Sequence, residues 1–308
     1  MTKIRIGVGY AAARGAVHSP EALMSYAERL EDLGIDSVWP SDHIVSRQPS
    51  LDVNLIMSFF AARTKKLKMG PSVLTMPSRH PIHVAKTYAT LDHLTGGRRR
   101  VILAVGLGGD RREVEAVEVP TEARGARMRE GVEVLRRLFT EEKVTHKGRF
   151  YSFENITIDP RPANGALDIW LGGNSDLALK RVARYGDGWM PSFITPEEFE
   201  SGMKRLKKFT AETGRTIDDD EAGVLIPTHV TSDEASARRL MEKFLSRSAV
   251  PQTEFESRYA IGSAAAVRDR VAEYVDKGCT KFILFPIGAA DLGEQADAVG
   301  REIVPHFS

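Results

Sequence analysis

The amino-acid sequence predicts an α/β fold, a (β/α)8 TIM barrel with insertions. Eight short aliphatic segments alternate with longer segments that have the period of an α-helix. The aliphatic segments are nearly continuous, as is typical of parallel strands buried on both faces. Eight such units favour a closed barrel over an open, doubly wound sheet, which stays the alternative. Because no linker rich in Pro, Ser or Gly interrupts the alternation, we interpret residues 1–308 as a single domain.

Four strands are predicted in the first third of the chain, and they are Ile4–Val8, Ile35–Trp39, Leu67–Leu74 and Arg100–Val105. The helix between the first two strands has clear ends. Ser19 is a favourable N-cap, Pro20 suits the first helical position, and Gly34 can follow the last turn. Two further helices are predicted between these strands, Leu51–Ala62 and Pro81–Leu94.

The rest of the chain continues the alternation with longer connections. The predicted strands are Leu167–Leu171, Asp187–Met190, Val224–Val230 and Lys281–Pro286, and the predicted helices are 121–139, 175–185, 196–214, 232–245 and 264–277. Two insertions account for the length beyond the ~250 residues of a typical barrel. One is a hairpin at 143–159 that turns at Lys147–Gly148, and the other is an irregular stretch at 249–262. We expect these insertions to influence substrate specificity.

Composition and charge exclude several classes of function. Lys and Arg number 43 and Asp and Glu 42, so the net charge of +1 provides no global attraction to nucleic acid or to a membrane surface. No segment approaches the ~18 consecutive apolar residues of a transmembrane helix, and the N-terminus lacks the apolar core of a signal peptide. The one cysteine, Cys279, cannot form an internal disulfide. We therefore expect a cytoplasmic protein that binds neither nucleic acid nor membrane.

Chemistry in such a barrel lies at the carboxyl ends of the strands. His43 follows the second strand and is the strongest single candidate for acid–base work, because imidazole titrates near neutrality and Asp42 belongs to the same turn. The structural alternative is a loop histidine that caps a neighbouring helix. His80 and His83 have no third ligand at a suitable spacing, so we expect no metal site.

Glycines follow two other strands. Gly172-Gly173-Asn174-Ser175 lies between a strand and a helix, where backbone amides and the helix N-terminus can bind an anion. A plain βα turn with Ser175 as N-cap is the alternative. Gly106 and Gly108 lack the spacing of a dinucleotide fingerprint, and we interpret them as a close approach of the backbone to a flat ligand. Large side chains at or near strand ends are candidates for an apolar substrate pocket, with core packing as the alternative for each: Trp39, Met76, Trp189 and Phe285.

Taken together, these segments resemble the luciferase-like monooxygenase superfamily of flavin and deazaflavin enzymes over nearly the whole chain. The resemblance rests on Trp39–His43, on Gly70–Leu74 with Arg79-His80-Pro81, on Thr90–Arg98, and on Ile169–Ser175 continuing to Arg184–Trp189. The Ser41-Asp42-His43 turn and the overall length look most like the branch that uses coenzyme F420, a 5-deazaflavin that carries hydride.

The resemblance implies roles for the matching positions. Asp42 would contact the cofactor ring, and His43 would face the reacting carbon. The Ser72–Val73 bond coincides with a position where this branch often has a non-prolyl cis peptide against the ring. Gly106 and Gly108 would line the ring pocket, and the phosphate would be held by Gly172, Gly173, Asn174 and Ser175. The sugar-phosphate dehydrogenases of the branch have a glutamate just after the glycines that follow the fourth strand, where this chain has Gly109-Asp110. Either Asp110 replaces that glutamate or the substrate needs no second acid, and a sugar phosphate is not the expected substrate.

The leading hypothesis is an oxidoreductase that transfers a hydride between coenzyme F420 and a small organic substrate, with the deazaflavin providing the redox chemistry. The first alternative is a two-component monooxygenase that uses FMN. The second is a flavin-binding protein without turnover. The resemblance also implies a homodimer, and a flavin or F420 reductase is the expected redox partner.

Overall fold

The computed structural model describes residues 3–11, 19–45, 50–246, 250–289 and 291–307. Its strands in chain order are β1 (Arg5–Tyr10), β2 (Ser37–Pro40), β3 (Lys68–Met69), β4 (Leu74–Thr75), β5 (Ile102–Gly106), β6 (Val144–Lys147), β7 (Ser152–Ile156), β8 (Asp168–Gly172), β9 (Gly188–Met190), β10 (Gly223–Val230), β11 (Ala260–Gly262) and β12 (Lys281–Pro286).

Eight strand positions form a closed, parallel barrel. One sheet has the order β11-β10-β12-β1-β2-β3, and a second has the order β4-β5-β8-β9. The bridge between Met69 and Val101 joins the two sheets on one side, and the bridge between Trp189 and Ala222 joins them on the other. The eight positions are occupied by β1, β2, β3 together with β4, β5, β8, β9, β10 and β12. The predicted (β/α)8 barrel is confirmed.

Helices follow the barrel strands and cover its outside. They are α1 (Pro20–Asp32), α2 (Val53–Arg63), α3 (Pro81–Leu94), α4 (Arg111–Glu115), α5 (Arg124–Thr140), α6 (Asp176–Tyr185), α7 (Pro196–Glu212), α8 (Glu234–Leu245), α9 (Gln252–Ser257), α10 (Ala264–Asp276), α11 (Leu292–Ala298) and α12 (Val304–Phe307). The expected caps are present, since Ser19 accepts from the N–H of Ala22 and Thr195 forms a capping box with Glu198. No helix in the described ranges has the length and apolar character needed to span a membrane.

The structure differs from the sequence prediction in three places. The predicted third strand is divided into β3 and β4, because Pro71 has no N–H with which to continue a ladder. The stretch 249–262 was predicted to be irregular. Residue 249 lies outside the described residues, and the rest of the stretch contains α9 and β11. Elements of six and three residues are too short to show a periodic pattern. Helices α4, α11 and α12 were also not predicted.

The barrel interior is closed by large side chains. Trp39 and Trp170 contact each other with ring centroids 6.2 Å apart, and their layer is completed by Ile102, Ala104, Met190, Leu225 and Ile283. Val73 and Phe285 pack on this cluster and remain partly exposed. Below it, the fully buried Lys281 forms an ion pair with Asp36, with 2.6 Å between Nζ and Oδ2. Because the centre is filled, a ligand can reach only the carboxyl ends of the strands.

Candidate active site

His43 lies in the loop after β2 and forms a pair with Glu113 of α4. The distance from Nδ1 of His43 to Oε1 of Glu113 is 2.8 Å, and the N–H of Ile44 donates to the other carboxylate oxygen at 3.4 Å. The Glu113 side chain is 6% exposed, whereas that of His43 is 46% exposed. A buried carboxylate therefore holds one ring nitrogen and leaves Nε2 as the nitrogen directed to a ligand.

Glu113 is a site residue that the sequence reasoning missed. Asp110, the expected acid, is the N-cap of α4, where it accepts from the N–H of Arg112 and forms an ion pair with that side chain. The first turn of α4 then places Glu113 under the His43 loop. A five-residue helix has no recognisable period, and the available signal was an N-cap residue followed three positions later by a glutamate.

Asp42 connects two loops at the same rim. Its buried carboxylate accepts from the N–H of Thr75 at 2.8 Å and from Nη2 of Arg79 at 2.6 Å. Hydrogen bonds from a backbone amide and a guanidinium compensate a buried charge. The structure thus places Asp42 where it fixes the His43 turn against the segment after β4.

The Ser72–Val73 peptide bond is cis, as the resemblance implies. Gly106 lies directly beside Val73, so that a Cβ on Gly106 would be 2.4 Å from Cγ2 of Val73. Gly108 has φ +77°, and a Cβ there would be 2.7 Å from Cγ2 of Thr75. The absence of side chains at both glycines keeps this wall of the barrel mouth flat.

We expect the replacement of Gly106 by alanine to weaken cofactor binding by about tenfold, because the added methyl must displace Val73 into the mouth. Gly109→Ala is a matched control in the same loop, since a Cβ at Gly109 has no neighbour within 4 Å. The measurement is the dissociation constant of the cofactor by fluorescence titration. Equal affinities of the Gly106 and Gly109 variants would contradict this role of Gly106.

Gly172-Gly173-Asn174-Ser175 forms an exposed connection at the N-terminus of α6. Gly173 has φ +104°, and its carbonyl accepts from Nε1 of Trp189 at 2.9 Å. Asn174 donates through Nδ2 to the carbonyl of Ser192 at 3.1 Å, while Ser175 caps the helix through the N–H of Ala178. The remaining N–H groups of the first turn have no intrahelical acceptor, so this end of α6 can bind an anion.

The four proposed pocket side chains form two groups, two in the interior cluster of the barrel and two that pack against helices outside it. Phe285 contacts Gly9 and lies with Val73 at the top of the interior cluster. Trp39 is fully buried one layer deeper. Trp189 stacks on Phe199 of α7, with ring centroids 5.6 Å apart, and Met76 lies against Gly131 of α5. Neither of these last two reaches the mouth, whereas Met190, next to Trp189, faces the interior.

Within the described ranges, no group of three or more His, Cys, Asp or Glu side chains is arranged to hold a metal ion. The candidate site therefore consists of a histidine–glutamate pair, a flat glycine-lined wall and an exposed helix N-terminus.

Comparison with known proteins identifies the class. The family model described as luciferase-like monooxygenase matches residues 1–251, and the chain belongs to this family. The 5,10-methylenetetrahydromethanopterin reductase of Archaeoglobus fulgidus is 26% identical over 286 residues, covering 92% of this chain and 80% of the relative. An F420-dependent glucose-6-phosphate dehydrogenase of Intrasporangium calvum is 35% identical over 230 residues, covering 71% of this chain and 68% of the relative.

Solved structures show the same fold. An F420-dependent secondary alcohol dehydrogenase, determined in complex with an F420–acetone adduct, superimposes with a TM-score of 0.84 at 22% identity, and the match covers both chains completely. The resemblance inferred from the sequence motifs is thus confirmed at the level of family and fold.

Proposed function

We propose that this protein is an oxidoreductase that transfers a hydride between coenzyme F420 and a small organic substrate. The observation that carries the proposal is the His43–Glu113 pair at the barrel mouth, 2.8 Å apart and next to the glycine-lined wall. A relative matched over 71% of this chain supports the choice of cofactor, because it is named as an F420-dependent glucose-6-phosphate dehydrogenase.

The residues present fit a deazaflavin. A flat ring needs a wall without side chains, which Gly106 and Gly108 provide, and Val73 offers an apolar surface beside them. A phosphate needs N–H donors, which the loop from Gly172 to Ser175 and the N-terminus of α6 provide. Asp176 is the one acidic residue in the first turn of α6, and its ion pair with Arg205, 2.6 Å long, reduces the repulsion of an anion.

When bound, the deazaflavin supplies the hydride chemistry. His43 holds or receives the proton of the substrate at Nε2, because Glu113 occupies its Nδ1. Asp42 positions the His43 turn through Thr75 and Arg79. The tryptophan layer below the mouth excludes water from underneath, and Phe285 with Val73 forms the apolar base against which a substrate rests.

The test is a parallel titration of the purified protein with coenzyme F420 and with FMN. We expect saturable binding of the deazaflavin and substrate-dependent change of its absorbance, with no oxygen consumption. Tight FMN binding with oxygen consumption and no response to the deazaflavin would contradict the proposal and favour a two-component monooxygenase. Binding without turnover of any alcohol, aldehyde or imine substrate would favour a flavin-binding protein.

We also propose a homodimer, formed through the outer face of α2 and α3. This face exposes Leu55 and Leu94, which are 66% and 63% exposed, beside a groove of about 530 Å³. Exposed apolar patches of this kind are typical of protein interfaces. Sedimentation of the pure protein as a monomer at micromolar concentration would contradict the homodimer.

A cytoplasmic location and a flavin or F420 reductase as redox partner belong to the same proposal. The fully buried thiol of Cys279 supports a reducing compartment, because it has no cysteine with which to pair. Cell fractionation of the native host tests the location, and recovery of the protein in the secreted fraction would contradict it. If the enzyme itself returned the cofactor to its starting oxidation state by reacting with a second substrate, no reductase would be needed, and this part of the proposal would be contradicted.

A further inference from the structure

A small cavity lies where α2 and α3 pack beside Leu74 of β4. Its volume is about 150 Å³, and among the described residues no carboxylate belongs to its lining. The lining includes polar side chains that can donate hydrogen bonds, and these are Asn54, Arg79, His80, Thr87 and Tyr88. The cavity is smaller than the ~300 Å³ at which small-molecule pockets begin, but larger than the ~30 Å³ of one water. It therefore has the size to hold a small ion.

Two of these side chains have a buried donor without an acceptor. The hydroxyl of Tyr88, a fully buried residue, and Nε of Arg79 have no hydrogen-bond partner among the residues that the structure describes. Burial raises the pKa of Tyr88, and the guanidinium of Arg79 opposes this shift, so the two groups are within electrostatic range of each other. A donor buried without an acceptor destabilises the fold, and more so when it is charged.

His80 adds a third donor, whose tautomer is defined. Its Nδ1 accepts from the N–H of Ile82 at 3.3 Å, so the ring proton is on Nε2. Burial lowers the pKa of His80, and neighbouring cations, among them Arg127, lower it further. The cavity is thus lined by donors in a positive potential, which favours an anion over a neutral molecule.

Two carboxylates whose charges reach Tyr88 are engaged elsewhere. After the larger effect of burial, Asp42 and Asp52 also raise the pKa of Tyr88. Asp42 accepts from the N–H of Thr75 and from Nη2 of Arg79, and Asp52 accepts from N–H groups in the first turn of α2. Since neither accepts from the Tyr88 hydroxyl, the acceptor that fits this site comes from outside the chain.

We propose that this cavity binds a small oxyanion of the size of phosphate or sulfate. A tetrahedral oxyanion presents acceptors in several directions, so it can accept from the Tyr88 hydroxyl, from Nε of Arg79 and from Nε2 of His80. Because Nη2 of the same guanidinium holds Asp42, the bound anion also fixes the group that supports the His43 turn. Binding here requires neither the deazaflavin nor its substrate.

The test is an NMR titration of the purified protein, with isotope-labelled histidine rings, with sodium phosphate at constant pH. Sodium chloride keeps the ionic strength constant, so that a response belongs to phosphate rather than to screening. The chain has eight histidines, and the signals of His80 and His306 are identified by their loss in His80→Gln and His306→Gln. We expect the His80 signal to shift until the site is saturated, while the signal of His306 in α12 stays in place.

Tyr88→Phe removes only the buried hydroxyl and should weaken phosphate binding about tenfold, the loss expected for one hydrogen bond to a charged group. Tyr185→Phe is the matched control, because Tyr185 lies at the end of α6 and outside the lining. Thermal unfolding shows whether each variant is folded. Phosphate bound at the N-terminus of α6 would leave the His80 signal in place, so the two anion sites are distinguished.

A His80 signal that ignores phosphate, or equal phosphate affinity of the wild type and Tyr88→Phe, would overturn the inference. The titration uses no deazaflavin, so either outcome would leave the proposed function intact. A protein that binds phosphate in this cavity but does not bind the deazaflavin would overturn the proposed function alone.

Discussion

Replacing His43 by glutamine lowers the rate of hydride transfer by about 10²- to 10⁴-fold, the range expected for loss of a general acid or base. Glutamine can still donate to Glu113, so the loop keeps its hydrogen bond while the titratable nitrogen is lost. Single-turnover kinetics, followed by the absorbance of the deazaflavin, measure the chemical step separately from product release. The affinity for the cofactor should change little, because the wall and the phosphate loop are untouched.

Glu113→Gln tests the partner of His43. The neutral amide keeps a contact with the ring but carries no charge to hold the imidazole in place, so the rate of the chemical step in single-turnover experiments should fall. His83→Gln is the control, because His83 is exposed on α3. Wild-type single-turnover rates in either His43→Gln or Glu113→Gln would contradict the role of the pair.

Replacing Lys281 by methionine lowers the free energy of unfolding by about 3–5 kcal/mol, because it leaves the Asp36 carboxylate without its closest cation. Lys281 is fully buried, with Nζ 2.6 Å from Asp36 and 5.7 Å from the centre of the Trp39 ring. Lys68 is also near Asp36, at 3.8 Å, but it is partly exposed and compensates less. Urea unfolding, monitored by tryptophan fluorescence, measures the difference.

The same pair predicts a dependence on pH. Burial alone would raise the pKa of Asp36, but the charges of Lys281 and Lys68 outweigh it and hold the pKa below its usual value. The stability that this carboxylate contributes is present above its unfolded pKa and is lost as the pH falls through the lower folded value. Without Lys281, Asp36 can take up a proton at higher pH, so the cost of Lys281→Met should be smaller at pH 4 than at pH 7.

Two variants control this experiment. Lys281→Met/Asp36→Asn removes both charges and should recover much of the lost stability. Lys143→Met, at an exposed position, should change the free energy of unfolding by less than about 0.5 kcal/mol. If the single and double variants at Lys281 were equally unstable, the loss would come from packing rather than from the unpaired carboxylate.

Most of the fold was accessible from the sequence, because its signals are local. Helix α3 spans Pro81–Leu94 and strand β12 spans Lys281–Pro286, as predicted, since the first begins with a proline at N1 and the second is a continuous aliphatic run between turn residues. The hairpin of β6 and β7 is confirmed within the predicted insertion at 143–159. Short elements such as α4 and α9 were missed, because five or six residues carry no period.

By itself, the sequence determined the barrel, the family and the ends of strands where chemistry is placed, since alternation, caps and glycines act between neighbours in the chain. The tertiary structure alone decided which side chains meet. Glu113 reaches His43 across 70 positions, and Arg79 reaches Asp42 across 37. It also decided that Met190 rather than Trp189 faces the interior. A side chain's face reverses with every residue of a strand, and the contacts of a loop depend on how the barrel closes, so no local pattern contains them.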